Sequence, residues 1–152
     1  MTRIAGIPLV PLALGLAGLI PFVWGALTVE PGALQSWGTR LLGPRFVGPY
    51  VQLFYGSVIL SFMSGVIWGF AARTEGREAA LLYVLSVLPA LWAFFFTGGG
   101  PVSAATSLAF GFAGLLMIDW FAWSRGLAPE WWMRLRLLLT AVVVASLTVL
   151  IL

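Results

Sequence analysis

Residues 55–70 read YGSVILSFMSGVIWGF, a run that contains no charged residue. Its small residues recur at every fourth position, so on a helix Ser57, Ser61, Gly65 and Gly69 form one narrow stripe. Glycine weakens a helix and serine brings a polar hydroxyl, so both are unusual in so apolar a run. The stripe therefore indicates either a seam where helices touch or a place where a molecule binds.

The composition of the whole chain predicts a membrane protein. Of 152 residues, 61% are hydrophobic and 9% are charged, and the mean hydropathy is +1.05. A soluble domain carries about 25% charged residues. Because so much apolar surface could not be kept from water, we expect lipid to surround most of the chain. No linker or low-complexity segment divides residues 1–152, which predicts a single polytopic domain.

Five hydrophobic stretches are long enough to cross a bilayer, which requires about 20 mostly apolar residues. The predicted fold is therefore an all-α bundle of five transmembrane helices. We expect the first stretch to be a retained span rather than a cleaved signal peptide, because it reaches spanning length. The predicted spans are Ile7–Val29, Val47–Ala72, Ala79–Phe96, Val102–Trp123 and Trp131–Leu152.

The arginines predict the orientation of the bundle, since basic residues favour the cytoplasmic side of a membrane. Six arginines flank the spans on one side, and two lie on the other. This bias predicts an N-terminus inside and a C-terminus outside. The inner arginines are Arg3, Arg73, Arg77, Arg125, Arg134 and Arg136, and the outer ones are Arg40 and Arg45.

The first outer loop, PGALQSWGTRLLGPRF (31–46), is too long for a tight turn. Leu34, Trp37 and Leu41 recur with helical spacing, which predicts a short amphipathic helix on the outer membrane surface. An irregular loop that Trp37 anchors is the alternative.

Two interpretations of the small-residue stripe follow from the physics of membranes. Hydrophobic burial does not hold helices together in lipid, whereas close packing of small residues does. The stripe on the second span is therefore predicted to be a packing seam, with a matching alanine stripe on the fourth span: Ala105, Ala109 and Ala113. The alternative is a groove for a flat hydrophobic molecule such as a quinone, carotenoid or lipid tail, flanked by Tyr55, Phe62 and Trp68.

Asp119 is the one acidic residue inside a predicted span. An acid in the membrane is costly and often functional. Arg134 and Arg136 enter the fifth span at a similar depth, which predicts an ion pair between the fourth and fifth helices, with Arg134 the preferred partner. A solvated acid at the membrane surface and a proton carrier are the alternatives.

Missing residue types exclude several kinds of site. The chain has no cysteine and no histidine, so disulfides, thiolate catalysis, iron–sulfur clusters and ordinary zinc sites are excluded. The few charges flank hydrophobic runs, so the net charge of +3 does not indicate nucleic-acid binding. We expect no metal, no required cofactor and no catalytic residue.

Three stretches resemble an uncharacterised membrane family, a domain of unknown function that includes mitochondrial transmembrane protein 69. They are IPLVPLALGLAGLIPF (7–22), YGSVILSFMSGVIWG (55–69) and MIDW (117–120) with APEWWMRLRLLLT (128–140). The resemblance implies a small protein of a bacterial inner or mitochondrial membrane and no known reaction. The residues that match the family pattern are Tyr55, Gly56, Ser61, Gly65, Trp68, Gly69, Asp119, Pro129, Arg136 and Thr140.

These features lead to two functional hypotheses. The first is a non-catalytic accessory subunit or assembly factor of a larger bacterial inner-membrane complex, with respiratory or photosynthetic electron transfer as the setting. Its partners would be membrane lipids and partner subunits. The second is a binder or carrier of a hydrophobic molecule such as a quinone, a carotenoid or a lipid. Co-purification separates them, because a subunit brings protein partners and a carrier brings a ligand.

Overall fold

The computed structural model describes residues 2–152, and helices make up most of it. Five helical segments within this range are long and apolar enough to cross a membrane, which confirms the prediction of five spans. The first span consists of α1 (Leu9–Gly18) and α2 (Ile20–Leu27), and a short α3 (Ala33–Leu42) follows it. The other spans are α4 (Gly48–Ala71), α5 (Gly76–Phe96), α6 (Pro101–Ser124) and α7 (Trp132–Ile151).

A small hairpin that the sequence did not predict precedes the first span. Strands β1 (Arg3–Ile4) and β2 (Ile7–Pro8) pair antiparallel, so the helix begins at Leu9 rather than at Ile7. Ala5 and Gly6 form the two-residue turn with φ of 52° and 81°. Positive φ at both central positions matches the right-handed twist of paired strands, and glycine adopts it without steric cost.

The first span breaks at Leu19, between α1 and α2. Pro21 lies at the start of α2 and has no backbone N–H, so it cannot continue the hydrogen-bond ladder of α1. Both α1 and α2 contact α7, and α2 also packs against α4.

The predicted helix in the first outer loop is present as α3. Gly38 allows it to approach α2 closely, because a Cβ atom there would lie 2.8 Å from Trp24 Cζ2. Trp24 also donates a 2.7 Å hydrogen bond from Nε1 to the carbonyl of Phe46, where the loop returns to the bundle. Leu34 and Trp37 face outward, as the amphipathic pattern predicts. That α3 lies on a membrane surface remains a prediction.

The helix α4 packs against α2, α5 and α6 and forms the centre of the bundle. Leu60 and Ile67 are fully buried there. Gln52 is buried as well, and its Nε2 donates to the carbonyls of Phe22 (2.9 Å) and Ser146 (3.0 Å). This one side chain therefore joins α2, α4 and α7, and its polarity matters because lipid offers no replacement hydrogen bond.

Ser64 of α4 reaches into the helix α5 near its internal proline, Pro89. The Ser64 hydroxyl donates to the carbonyl of Ser86 and accepts a 3.1 Å hydrogen bond from the amide of Ala90. A proline inside a helix disrupts the local hydrogen-bond ladder, and in a membrane a neighbouring side chain must satisfy the freed groups. Ser64 serves this purpose here.

Candidate functional site

The stripe of small residues lies mostly on the outside of the bundle. Ser61, Gly65 and Gly69 are exposed, and a Cβ atom at Gly65 or Gly69 would meet no atom within 4 Å. Ser57 is half-buried, and its hydroxyl bonds its own helix at Leu53. On α6, Ala105 is buried, Ala109 is partly buried and Ala113 is exposed. The prediction of a seam between α4 and α6 along these two stripes is therefore wrong.

The helices approach closely at other small residues. A Cβ atom at Gly56 of α4 would lie 3.0 Å from Leu108 of α6, and one at Gly111 would lie 2.6 Å from Leu60. Between α2 and α4, a Cβ at Gly25 would lie 2.9 Å from Val51 Cγ1. The spacing of small residues did not reveal this face. In lipid the outward side of a helix is apolar as well, so hydrophobicity cannot show which side of a span faces inward.

An ion pair joins α6 and α7 inside the bundle. Arg136 Nε donates a 2.6 Å hydrogen bond to Asp119 Oδ2, and Trp132 Nε1 donates a 2.8 Å bond to Asp119 Oδ1. Asp119 is fully buried and Arg136 is 5% exposed. Both carboxylate oxygens therefore have a partner. The arrangement can hold α6 against α7 and can fix the position of the guanidinium.

Arg134 does not belong to this pair, which corrects the preferred partner. Its side chain is exposed, and Nη1 lies 3.3 Å from the carbonyl of Ala5 in the N-terminal hairpin. Residues two apart on a helix point in different directions, and the rotation of α7 turns Arg136 inward. Arg134 instead links the hairpin to the start of α7.

A cavity of about 450 Å³ lies next to the ion pair. The helices α1, α4 and α7 form most of its wall, with contributions from α2 and α6. Aliphatic side chains and several aromatic rings line it, and Phe22 packs edge-to-face against Tyr55 and against Phe112, with ring centroids 5.5 Å and 5.8 Å apart. The cavity is partly open, and Leu14 and Phe62 of its lining are 70% and 65% exposed on the outer surface of the bundle.

Two residues of α7 that line this cavity carry buried polar atoms without protein partners. Arg136 and Thr140, one turn apart on α7, both line it and are both 5% exposed. Among residues 2–152, Arg136 Nη2 and Thr140 Oγ1 are buried and have no hydrogen-bond partner. Thr106 and Thr148, by contrast, donate to the carbonyl one turn earlier in their own helices. Buried polar atoms are rarely left unpaired, so the two atoms mark a place where a further group can bind.

The structure separates the residues predicted to flank a ligand groove. Tyr55 and Phe62 line the cavity, as that interpretation requires. Trp68 does not, because it packs edge-to-face on Tyr83 of α5, with ring centroids 4.7 Å apart. The cavity therefore lies beside the small-residue stripe and not on it.

Sequence reasoning missed several residues of this site. Gly15 and Gly18 of α1 line the cavity, as does Trp132 of α7. The spacing of Arg136 and Thr140, four residues apart in an apolar helix, was the available signal, since such residues share a face. Arg136 and Thr140 also match the family pattern, which assigns them no role.

Comparisons with known proteins agree with that resemblance. The family described as "Protein of unknown function (DUF3429)" matches residues 7–152. The chain belongs to this family. Among its relatives is Transmembrane protein 69 of Xenopus tropicalis, which is 34% identical over 140 residues. That alignment covers 90% of this chain and 51% of the relative, so the chain spans about half the length of that protein. The comparison with solved structures gave no match.

The five spans place the cavity in a multi-pass membrane protein. Four of the residues that carried the resemblance now lie together: Tyr55, Arg136 and Thr140 line the cavity, and Asp119 holds Arg136. Others, including Gly65 and Gly69, lie on the outward face of α4. The residues that carry the resemblance therefore lie on two separate surfaces of the bundle.

Proposed function

We propose that this protein binds a hydrophobic small molecule within the membrane, in the cavity between α1, α4 and α7, and that it has no catalytic role. The cavity carries this proposal. Its volume of about 450 Å³ lies within the range of small-molecule sites, which are mostly apolar with a few placed polar groups. The aromatic wall and the unpartnered atoms of Arg136 and Thr140 match that description.

The position of the cavity suits a ligand that arrives through lipid. The cavity is partly open, and its lining includes the exposed side chains of Leu14 and Phe62. The lining part of α7 runs from Trp132 to Val143, a rise of about 16 Å along the helix. A head group and a short length of chain fit within that distance, and the rest of a long tail can remain among the lipid chains.

Two glycine substitutions test ligand binding. Gly18 lines the cavity, and a Cβ atom there would lie 3.6 Å from the Tyr55 hydroxyl, an ordinary contact. Gly18→Leu is therefore tolerated at its first carbon while the rest of its side chain fills the cavity. Gly65→Leu is the matched control, because a Cβ at that position meets no atom.

The measurement is mass spectrometry of small molecules that remain bound after purification in mild detergent. We expect the wild type and Gly65→Leu to retain the same compound in a fixed ratio and Gly18→Leu to lose it. If Gly18→Leu retains as much as Gly65→Leu, or if the wild type retains no compound beyond bulk lipid, the proposal is wrong.

We also propose a second function, that of an accessory subunit or assembly factor in a larger complex. The observation that favours it is the outward position of Ser61, Gly65 and Gly69, where open space would let a helix of another protein pack closely. A bacterial inner membrane, with respiratory or photosynthetic electron transfer, is the proposed setting. In that case the wild type and Gly18→Leu co-purify with partner subunits in a fixed ratio, and Gly65→Leu loses them. Equal recovery of partner subunits with all three proteins argues against this second function.

A further inference from the structure

The unpartnered groups in the cavity restrict the kind of head group that can bind there. Arg136 bonds Asp119 through Nε alone, so within residues 2–152 its terminal nitrogens have no protein acceptor. A guanidinium nitrogen can only donate, and a threonine hydroxyl can donate or accept. Both oxygens of Asp119 already accept hydrogen bonds, from Arg136 and Trp132. What the site lacks is therefore a hydrogen-bond acceptor.

The charges of the site indicate that this acceptor is neutral. Asp119 Oδ2 and Arg136 Nε are 2.6 Å apart, and the two side chains together carry no net charge. A carboxylate or phosphate bound at Arg136 would place a second negative charge near Asp119 in a poorly screened interior, where like charges repel strongly. A cationic head would face the guanidinium and find only the Thr140 hydroxyl as an acceptor. A carbonyl oxygen adds no net charge near Asp119 and can accept a hydrogen bond from the guanidinium.

The wall of the cavity adds a restriction on shape. Phe22, Phe112 and Trp132 are among the residues that line it, and aromatic faces and edges pack well against another flat ring. A flat ring that bears a carbonyl oxygen and an apolar tail fits the polar groups, the wall and the opening toward lipid together.

We propose that the ligand is of the quinone class, and that Arg136 and Thr140 donate hydrogen bonds to one of its carbonyl oxygens while Asp119 and Trp132 hold the guanidinium in place. This inference rests on the proposed function as a ligand binder. It adds the chemical class of the ligand and the two residues that recognise it.

The test is a titration of the purified full chain with three probes of similar tail length. A decyl-substituted benzoquinone carries neutral carbonyls, decylbenzene has the ring and tail without oxygen, and decanoate carries an anionic head. Thr140→Val removes the hydroxyl and preserves the shape of the side chain. Thr148→Val on the same helix is the control, because that hydroxyl bonds its own helix at Val144.

We expect the wild type to bind the quinone more tightly than either other probe. Thr140→Val should weaken quinone binding about three- to tenfold, the effect of one lost hydrogen bond. Thr148→Val should change it less than twofold, and decylbenzene should bind both variants equally. The infrared C=O stretching band of the bound quinone should lie at lower frequency in the wild type than in Thr140→Val, a shift that a merely structural effect would not produce.

The outcomes separate this inference from the proposed function. If Gly18→Leu abolishes quinone binding but Thr140→Val changes neither the affinity nor the infrared band, a ligand occupies the cavity and the assigned head-group contacts are wrong. Tighter binding of decanoate than of the quinone overturns the neutral head group. If no probe binds the wild type, or if Gly18→Leu has no effect on any of them, the proposed function itself fails.

Discussion

Asp119→Asn tests the buried ion pair most directly. The substitution removes the negative charge and preserves the size of the side chain. An asparagine oxygen can still accept the hydrogen bond from Trp132, which measures 2.8 Å in the structure. The guanidinium of Arg136, 5% exposed, therefore loses its counter-charge, and its Nε–H faces the asparagine NH2, a second donor, where it had an acceptor.

The magnitude follows from burial and distance. Two unit charges 2.6 Å apart attract by about 6 kcal/mol at an effective dielectric constant of about 20. Desolvation of the pair offsets much of this attraction, and removal of one partner from a buried pair costs about 3–5 kcal/mol. Arg136 lies in the second turn of α7, so its long side chain can extend toward the membrane surface and recover part of the loss. We expect a loss of about 3 kcal/mol, near the lower end of the range given for buried pairs.

The assay is equilibrium unfolding in mixed micelles of a mild detergent and dodecyl sulfate, followed by circular dichroism. Arg134→Gln is the control, because that side chain is exposed and bonds only a carbonyl in the hairpin, and it should cost less than about 1 kcal/mol. In a double-mutant cycle with Arg136→Met, the second substitution should cost little once Asp119 is neutral. Additive losses in that cycle, or a loss for Asp119→Asn no larger than for Arg134→Gln, would refute the reasoning.

Two further pairs of substitutions, each a test and its control, probe the packing around α4 by the same unfolding assay. Ser64→Ala leaves the backbone groups beside the α5 proline unpaired and should lower the free energy of unfolding by about 1–3 kcal/mol. Ser61→Ala is the control and should cost almost nothing, because it loses only a bond to its own helix on an exposed face. Equal losses would contradict the bridging role of Ser64. Gly25→Ala forces a Cβ atom to 2.9 Å from Val51 and should cost about 1–3 kcal/mol. Gly69→Ala meets no atom and should stabilise α4 by up to about 1 kcal/mol, because alanine favours helices. A neutral Gly25→Ala would show that α2 and α4 separate easily.

The breaks in the regular helices were only partly readable from the sequence. Proline is a usual cause of a helix break, and Pro21 coincides with the break at Leu19. The hairpin before α1 was not predicted, because it has only two residues in each strand and one of them is a proline. Ser64 stands in an apolar run with no local signal of its role. Its partners, Ser86 and Ala90, lie on a different helix and could not be foreseen.

The sequence by itself determined that this is a membrane protein with five helical spans, and it favoured a helix in the loop after the first span and an ion pair for Asp119. These features depend on length, hydropathy and local spacing, which a single segment contains. The tertiary structure decided which face of each helix turns inward: it paired Asp119 with Arg136 instead of Arg134, left Gly65 and Gly69 outside, and brought Tyr55 to the same cavity as Thr140. In water, hydrophobicity would have indicated the inward face. In lipid both faces are apolar, so close packing and buried hydrogen bonds set the rotation of each helix, and those depend on residues far apart in the chain.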